Sequence, residues 1–184
     1  MLAVLFAPPP LDPASALAAS ARTTAKSPRS CAYANLRPTA TDTALVDAAT
    51  LCLIDQVRNA YRLRTLRYNR ELQAVAGEQA KGMVRDDYFS DDSPSGQTPA
   101  ALIAETSYGE HAPSLATGEN LAWGTRSEAA PADIVASWMR SPPHRELILA
   151  GSFRDVGVGV SPAIPSIVGH GATGATYAVE FAAR

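Results

Sequence analysis

Cysteine, histidine and lysine are all scarce in this chain, and each scarcity removes a class of function. Only Cys31 and Cys52 are present. With no histidine or further cysteine nearby, the pair fits one structural disulfide better than a metal site; two buried free thiols are the alternative. Such a bridge contributes about 3 kcal/mol in the chain-entropy model and requires an oxidising compartment. Neither cysteine has an evident histidine partner, and no Gly-x-Ser-x-Gly elbow occurs, so nucleophilic catalysis has little support. A Gly-rich phosphate loop and a His-Glu-x-x-His helix are missing too. Lys26 and Lys81 are the only lysines among 16 cations, and the formal net charge is −2, without the basic excess expected of a nucleic-acid binder. No stretch reaches the roughly 18 apolar residues that span a bilayer.

What is present suits one soluble domain. Of 184 residues, 46% are apolar and 18% charged, an ordinary globular composition. A core of about 150 residues can bury roughly 70% of its unfolded surface. Residues 1–30 are rich in Ala, Pro, Ser and Thr without a periodic apolar face, which predicts a signal-like segment followed by a disordered linker. Met1 to Ala7 is a short apolar run, and Ala16-Leu17-Ala18 has the small residues of a cleavage site. No basic residue precedes the run and Pro8-Pro9-Pro10 interrupts it, so it is a poor signal as written, or one whose start lies upstream. The expectation is a secreted chain whose folded part begins near Cys31.

Helical spacing and end signals then alternate with turn residues. Thr41-Asp42-Thr43 offers an N-cap to a helix carrying Leu45, Ala49, Cys52, Leu53, Val57 and Tyr61 at helical spacing and ending near Arg64. Asn69 can cap a second helix with an inner stripe of Leu72, Val75, Ala76, Ala80 and Met83. Thr98-Pro99 reads as N-cap and first residue of a short third helix to about Thr106. Glu119 to Trp123 reads as a brief strand or an extended turn. A fourth helix starts at Pro131, with Ile134, Val135 and Trp138 inward, and Ser141-Pro142-Pro143 breaks it before one or two further turns. Asp155 to Val160 alternates valine and glycine, a strand against which something packs closely. A long Pro/Gly-rich loop precedes a closing strand, Ala175 to Phe181. Helices first and strands late favour an α+β fold. Arg58, Arg62, Arg64, Arg67 and Arg70 read as a solvated basic face, with contact to an anionic cell-surface polymer as the alternative.

Four short motifs carry the functional signal. They are Tyr88-Phe89-Ser90-Asp91-Asp92-Ser93-Pro94, Gly118-Glu119-Asn120, Trp138-Met139-Arg140-Ser141-Pro142-Pro143-His144-Arg145 and Gly157-Val158-Gly159-Val160. In order and spacing, residues 31–184 resemble the bacterial branch of the CAP superfamily: cysteine-rich secretory proteins, antigen 5 and pathogenesis-related proteins. The resemblance implies a three-layer α-β-α sandwich around a central antiparallel sheet. It also implies secretion, and a cleft lined by motif residues that in several members binds lipid, sterol or divalent metal. On this chain the cleft residues would be Glu119 and His144, with Asp91, Asn120, Trp138 and Arg145 lining it. The family's histidine after Tyr-Phe-Ser is Asp91 here, the glycine before the second histidine is Pro143, and Leu147 stands where asparagine is common.

The chemistry of these residues leaves two readings open. Glu119 and His144 could form a proton-handling dyad, giving a hydrolase or metal-assisted protease in which Glu119 or Asp91 activates water; they could equally be a buried ion pair. Asp91 in place of histidine makes the pocket oxygen-rich, so a divalent metal held by Asp91, Glu119 and His144 would be a hard cation such as Mg²⁺, Ca²⁺ or Mn²⁺; the alternative is a pocket that has lost its chemistry, with Asp91 a solvated loop acid. The other reading is a non-catalytic extracellular binding module for a lipid, a small apolar ligand or a cell-envelope polymer. Trp138, Trp123 and Phe89 could line a lipid groove or belong to the core; His111 and His170 read as surface residues.

Overall fold

The structure is a computed structural model that describes residues 30–184. The signal-like segment and linker expected over 1–30 lie, apart from Ser30, outside the described residues. Among the described residues seven α-helices and four strands follow one another as α1 (Thr43–Ala60), β1 (Arg67–Tyr68), α2 (Arg70–Arg85), α3 (Pro99–Ala104), α4 (Ser107–Glu110), β2 (Ala116–Thr125), α5 (Pro131–Arg140), α6 (Pro142–Leu149), β3 (Asp155–Ser161), α7 (Ser166–Gly169) and β4 (Gly174–Ala183). The strand order is β1-β3-β4-β2. The three long strands pair antiparallel, and the two-residue β1 joins the outer edge of β3 in parallel.

Alternation along β4 divides the molecule into layers. Tyr177, Val179 and Phe181 join Val46 and Ile54 of α1, Ile134 and Trp138 of α5 and Ile148 of α6 in one core. On the opposite face Ala178 meets Ala76, Ala80 and Met83 of α2, while Ala182 meets Leu72 and Val75 with Ile103 and Tyr108. Helices thus cover both faces of the sheet, as a period of two requires of a doubly covered strand. Gly157 and Gly159 set how closely α2 sits. A Cβ on either would lie 2.1 or 2.2 Å from the backbone of Leu72 or Ala76.

The ends of α2 and α3 form as their sequences direct. Asn69 Oδ1 accepts from the N–H of Glu71 and Leu72, and Thr98 Oγ1 accepts from Ala101 N–H ahead of Pro99. Cys31 and Cys52 form a disulfide that ties the start of the domain to the middle of α1. Two expectations are corrected. The inner face of α1 is Val46, Ala49, Thr50, Ile54 and Arg58, rotated by about one position from the apolar stripe, with Leu45 and Tyr61 exposed. Arg58 is not part of a solvated face: it is 1% exposed, whereas Arg62, Arg64, Arg67 and Arg70 are exposed.

Candidate functional site

The Gly-Glu-Asn segment lies on β2, an edge strand, and each of its residues has a different task. Gly118 leaves room for Leu147 and Phe153, whose side chains would come within 2.9 Å of a Cβ there. Glu119 is opposite Glu180 of β4, on the face covered by α2. Asn120 points the other way, is fully buried, and donates from Nδ2 to the His144 carbonyl at 3.1 Å. That bond fixes the first turn of α6 against the sheet. Successive side chains of a strand point to opposite faces, so Glu119 and Asn120 cannot both face α6.

Glu119 therefore has Glu180 as its neighbour rather than His144. The Glu180 side chain is 1% exposed, and Glu119 Oε1 and Oε2 and Glu180 Oε1 are sheltered with no donor in reach. Two carboxylates can bond only through a shared proton. Burial raises the pKa of Glu119 first, the neighbouring Glu180 next, and Asp91 and Asp92 add to the rise. Burial likewise raises Glu180. Near neutral pH the pair holds a proton, as carboxyl groups crowded away from water do.

Above the pair lies the first motif. Gln79 of α2 donates to the carbonyls of Ser90 and Asp91 at 3.1 and 3.0 Å, and accepts from the Tyr88 hydroxyl at 3.2 Å. These bonds hold the Tyr88–Asp91 segment beside the free edge of β2. Opposite it stands the corner between α5 and α6. Ser141 ends α5 with extended backbone and Pro142 restarts the chain as α6, so the proline pair marks a joint rather than an end. His144 Nδ1 is 2.7 Å from Ser141 Oγ, a bond that sets the imidazole against the joint. Trp138 is 1% exposed and donates from Nε1 to Leu121 O at 2.9 Å, pinning α5 to the strand edge.

Between these walls a hollow of about 420 Å³ opens to solvent. Asp91, His144 and Trp138 line it together with Phe89, Trp123 and Ser141. Trp123 is the aromatic platform, at 39% exposure, and Asp91 is exposed. Asn120 stands behind the wall and Glu119 is turned to the far face. Arg145 is exposed and reaches only Met139 O, at 3.4 Å. His111 and His170 are both exposed. Among the described residues no three His, Cys, Asp or Glu side chains are grouped to hold a metal ion. Asp91, Glu119 and His144 are thus not brought together as a ligand set.

Sequence reasoning missed Glu180, Gln79 and Ser141. Glu180 is the only charged residue of β4, between Val179 and Phe181 in an otherwise apolar strand, and that isolation was its one available signal.

Comparison with known proteins bears on the whole arrangement. The family model described as CAP, the cysteine-rich secretory protein family, matches residues 51–165. No curated protein sequence matches. An extracellular protein from Bacillus anthracis containing an SCP domain aligns over 80% of this chain and 44% of its own length, with 22% identity and a TM-score of 0.61. An outer surface protein of Borrelia burgdorferi aligns over 80% of this chain and 96% of its own, with 21% identity and a TM-score of 0.60. The venom allergen-like protein 4 of Schistosoma mansoni aligns over 74% and 86%, with 17% identity and a TM-score of 0.51. At these identities the likeness is one of fold.

Proposed function

The chain belongs to the CAP family of cysteine-rich secretory proteins, and from that premise we propose that it is a secreted, non-catalytic binding module. Its site is the hollow at the free edge of β2, and its ligand a cell-envelope component or lipid with one apolar face. The observation that carries this reading is Trp123. A tryptophan held 39% exposed on a rigid edge strand, flanked by Asp91 and His144 in one hollow, offers a stacking surface with polar groups on either side. Extracellular and outer-surface neighbours of the same fold support the location, and no helix among the described residues is long and apolar enough to cross a membrane.

The hydrolase reading draws no support from this geometry. It needs a carboxylate and an imidazole acting together, whereas Glu119 is turned to the far face beside Glu180, Asp91 in the hollow is a solvent-exposed loop acid, and His144 bonds Ser141. Pull-down of the purified chain against bacterial envelope polymer and lipid vesicles tests the proposal. Binding to one of them, weakened at least tenfold by Trp123→Ala and by His144→Ala with the fold intact, is the expected result. Turnover in a hydrolase panel that disappears in both His144→Ala and Glu119→Gln would overturn it.

A further inference from the structure

A second hollow lies at the opposite edge of the sheet. β1 is only two residues long, so most of the outer edge of β3 has no strand beside it, and α1 and the first turn of α2 close over that edge. The cavity there measures about 360 Å³, toward the small end of the roughly 300–1,000 Å³ of ligand pockets. Ala48, Leu51 and Val158 give it apolar walls, Tyr68 stands on its rim, and Asp47 is its one carboxylate.

Asp47 is held in place with one oxygen to spare. Its Oδ2 accepts from Gln73 Nε2 at 2.8 Å, and Gln73 Oε1 in turn accepts from Val158 N–H at 3.0 Å. Gln73 is thereby occupied at both ends and fixes the carboxylate against the sheet edge. Asp47 Oδ1 is sheltered from water and has no partner among the described residues. A buried acceptor without a donor leaves its desolvation penalty uncompensated, so a donor that reaches it from the cavity gains what the protein leaves unmet.

We propose that this cavity binds a small primary ammonium ion with an apolar body, its N–H donating to Asp47 Oδ1 and its chain lying along Ala48, Leu51 and Val158. The apolar walls select the body and the carboxylate selects the charge. An anionic ligand would meet like charge in a poorly hydrated site, and an alcohol would supply a donor without the ionic attraction. Tyr68, 59% exposed on the rim, adds a ring face for the cation. This site lies across the sheet from the hollow of Trp123 and does not depend on it.

Proton linkage gives the proposal a second signature. Burial pushes Asp47 up to about 7 against the opposing pull of the Gln73 hydrogen bond and of Lys81. Those two groups face it from α2, and the Tyr177 phenol feels its charge from β4. An ammonium ion holds Asp47 ionised, so binding releases a proton near neutrality and weakens as the pH falls below 7.

Calorimetric titration of the full chain with n-butylammonium chloride at pH 5.5, 7 and 8 tests this, with n-butanol and butyrate as controls. The expected result is saturable binding of butylammonium alone, about tenfold or more weaker at pH 5.5 than at pH 8. Asp47→Asn should weaken it by at least tenfold. Ala48→Phe should abolish it by filling the cavity while leaving Asp47 in place, and it decides the matter if Asp47→Asn fails to fold. Absence of saturation by butylammonium, equal binding of butanol, or binding that survives both substitutions would overturn the assignment.

Discussion

Arg58 is the side chain whose removal the fold should feel most. Its Nε donates to Arg64 O at 2.9 Å, and its Nη1 to Ile148 O at 2.7 Å and Ala150 O at 3.0 Å. The guanidinium thus satisfies the C-terminal carbonyls of α6 and the turn after α1 together, where a cation also suits the negative end of the helix. Arg58→Met keeps the apolar stem but strands three carbonyls, and should cost about 3 kcal/mol in a urea titration with the slope unchanged. Arg58→Lys should recover only part of that loss, because one ammonium cannot reach three acceptors in fork geometry. Glu180 makes the opposite prediction. In Glu180→Gln an amide donates to Glu119 and one buried acid is gone, so the variant should be more stable than the parent by about 1 kcal/mol at pH 7. Because burial raises both carboxyls, and the charge of Glu180 raises Glu119 further, that advantage should shrink toward pH 4.5, where the unfolded glutamates take up protons as well. An advantage that grew on acidification would show that the pair is ionised. None of this could be read from the sequence alone. Glu119 was visible through its motif, but its partner is a strand register away, and period-two alternation names a face without naming what stands opposite.

Among the elements, those whose caps and stripe agreed were legible, and those whose inner face is polar were not. α2 forms between Asn69 and Asp86 with Leu72, Val75, Ala76, Ala80 and Met83 all buried. For α1 an apolar count selects Leu45 and Tyr61, yet the buried face contains Thr50 and Arg58. Thr50 turns its hydroxyl back to Val46 O at 2.8 Å, and Arg58 has its N–H groups taken up by carbonyls. Both are invisible to a rule that scores apolarity. The glycines of β3 were legible as a close approach, and the approach is to the backbone of α2 itself. A methyl at position 159 would meet Ala76 C and O at 2.2 Å, contacts no rotamer can relieve. Gly159→Ala should therefore cost about 3 kcal/mol in urea, at the upper end of overpacking. Gly77→Ala is its control, since nothing lies within 4 Å of a Cβ there. It should match or exceed the parent by about 0.5–1 kcal/mol, the gain of alanine over glycine inside a helix.

At the scale of the molecule, the layers were legible through the family resemblance that four motifs carry in their order and spacing, while the electrostatic character of the interior was not. Burial depends on what folds over a residue, and composition says nothing about that. With a net charge of −2 the chain looks electrostatically bland, yet Asp47, Asp55, Glu119 and Glu180 are each raised, with burial the largest cause in every case. An acid whose folded pKa lies above its unfolded value binds its proton more tightly when folded. Its contribution to stability is complete below the unfolded pKa and is lost as the pH climbs through the folded one. For Asp47 that window runs from the ordinary aspartate value of 3.8 to about 7. The Glu119–Glu180 pair extends the same downward slope upward from the ordinary glutamate range. The urea midpoint should accordingly be higher at pH 5 than at pH 8, the reverse of a protein stabilised by salt-bridged carboxylates. Asp86 and Glu78 oppose this little, because they meet Arg85 at an exposed surface where ion pairs add little to stability. Removing the titrating groups should flatten the profile: Glu180→Gln from the ordinary glutamate range up to about pH 7, and Asp47→Asn between pH 4 and 7. A midpoint that rose steadily from pH 5 to pH 8 would mean that these carboxylates are ionised and paired in solution, and that the sheet interior is wetter than the packing of α2 against β3 and β4 allows.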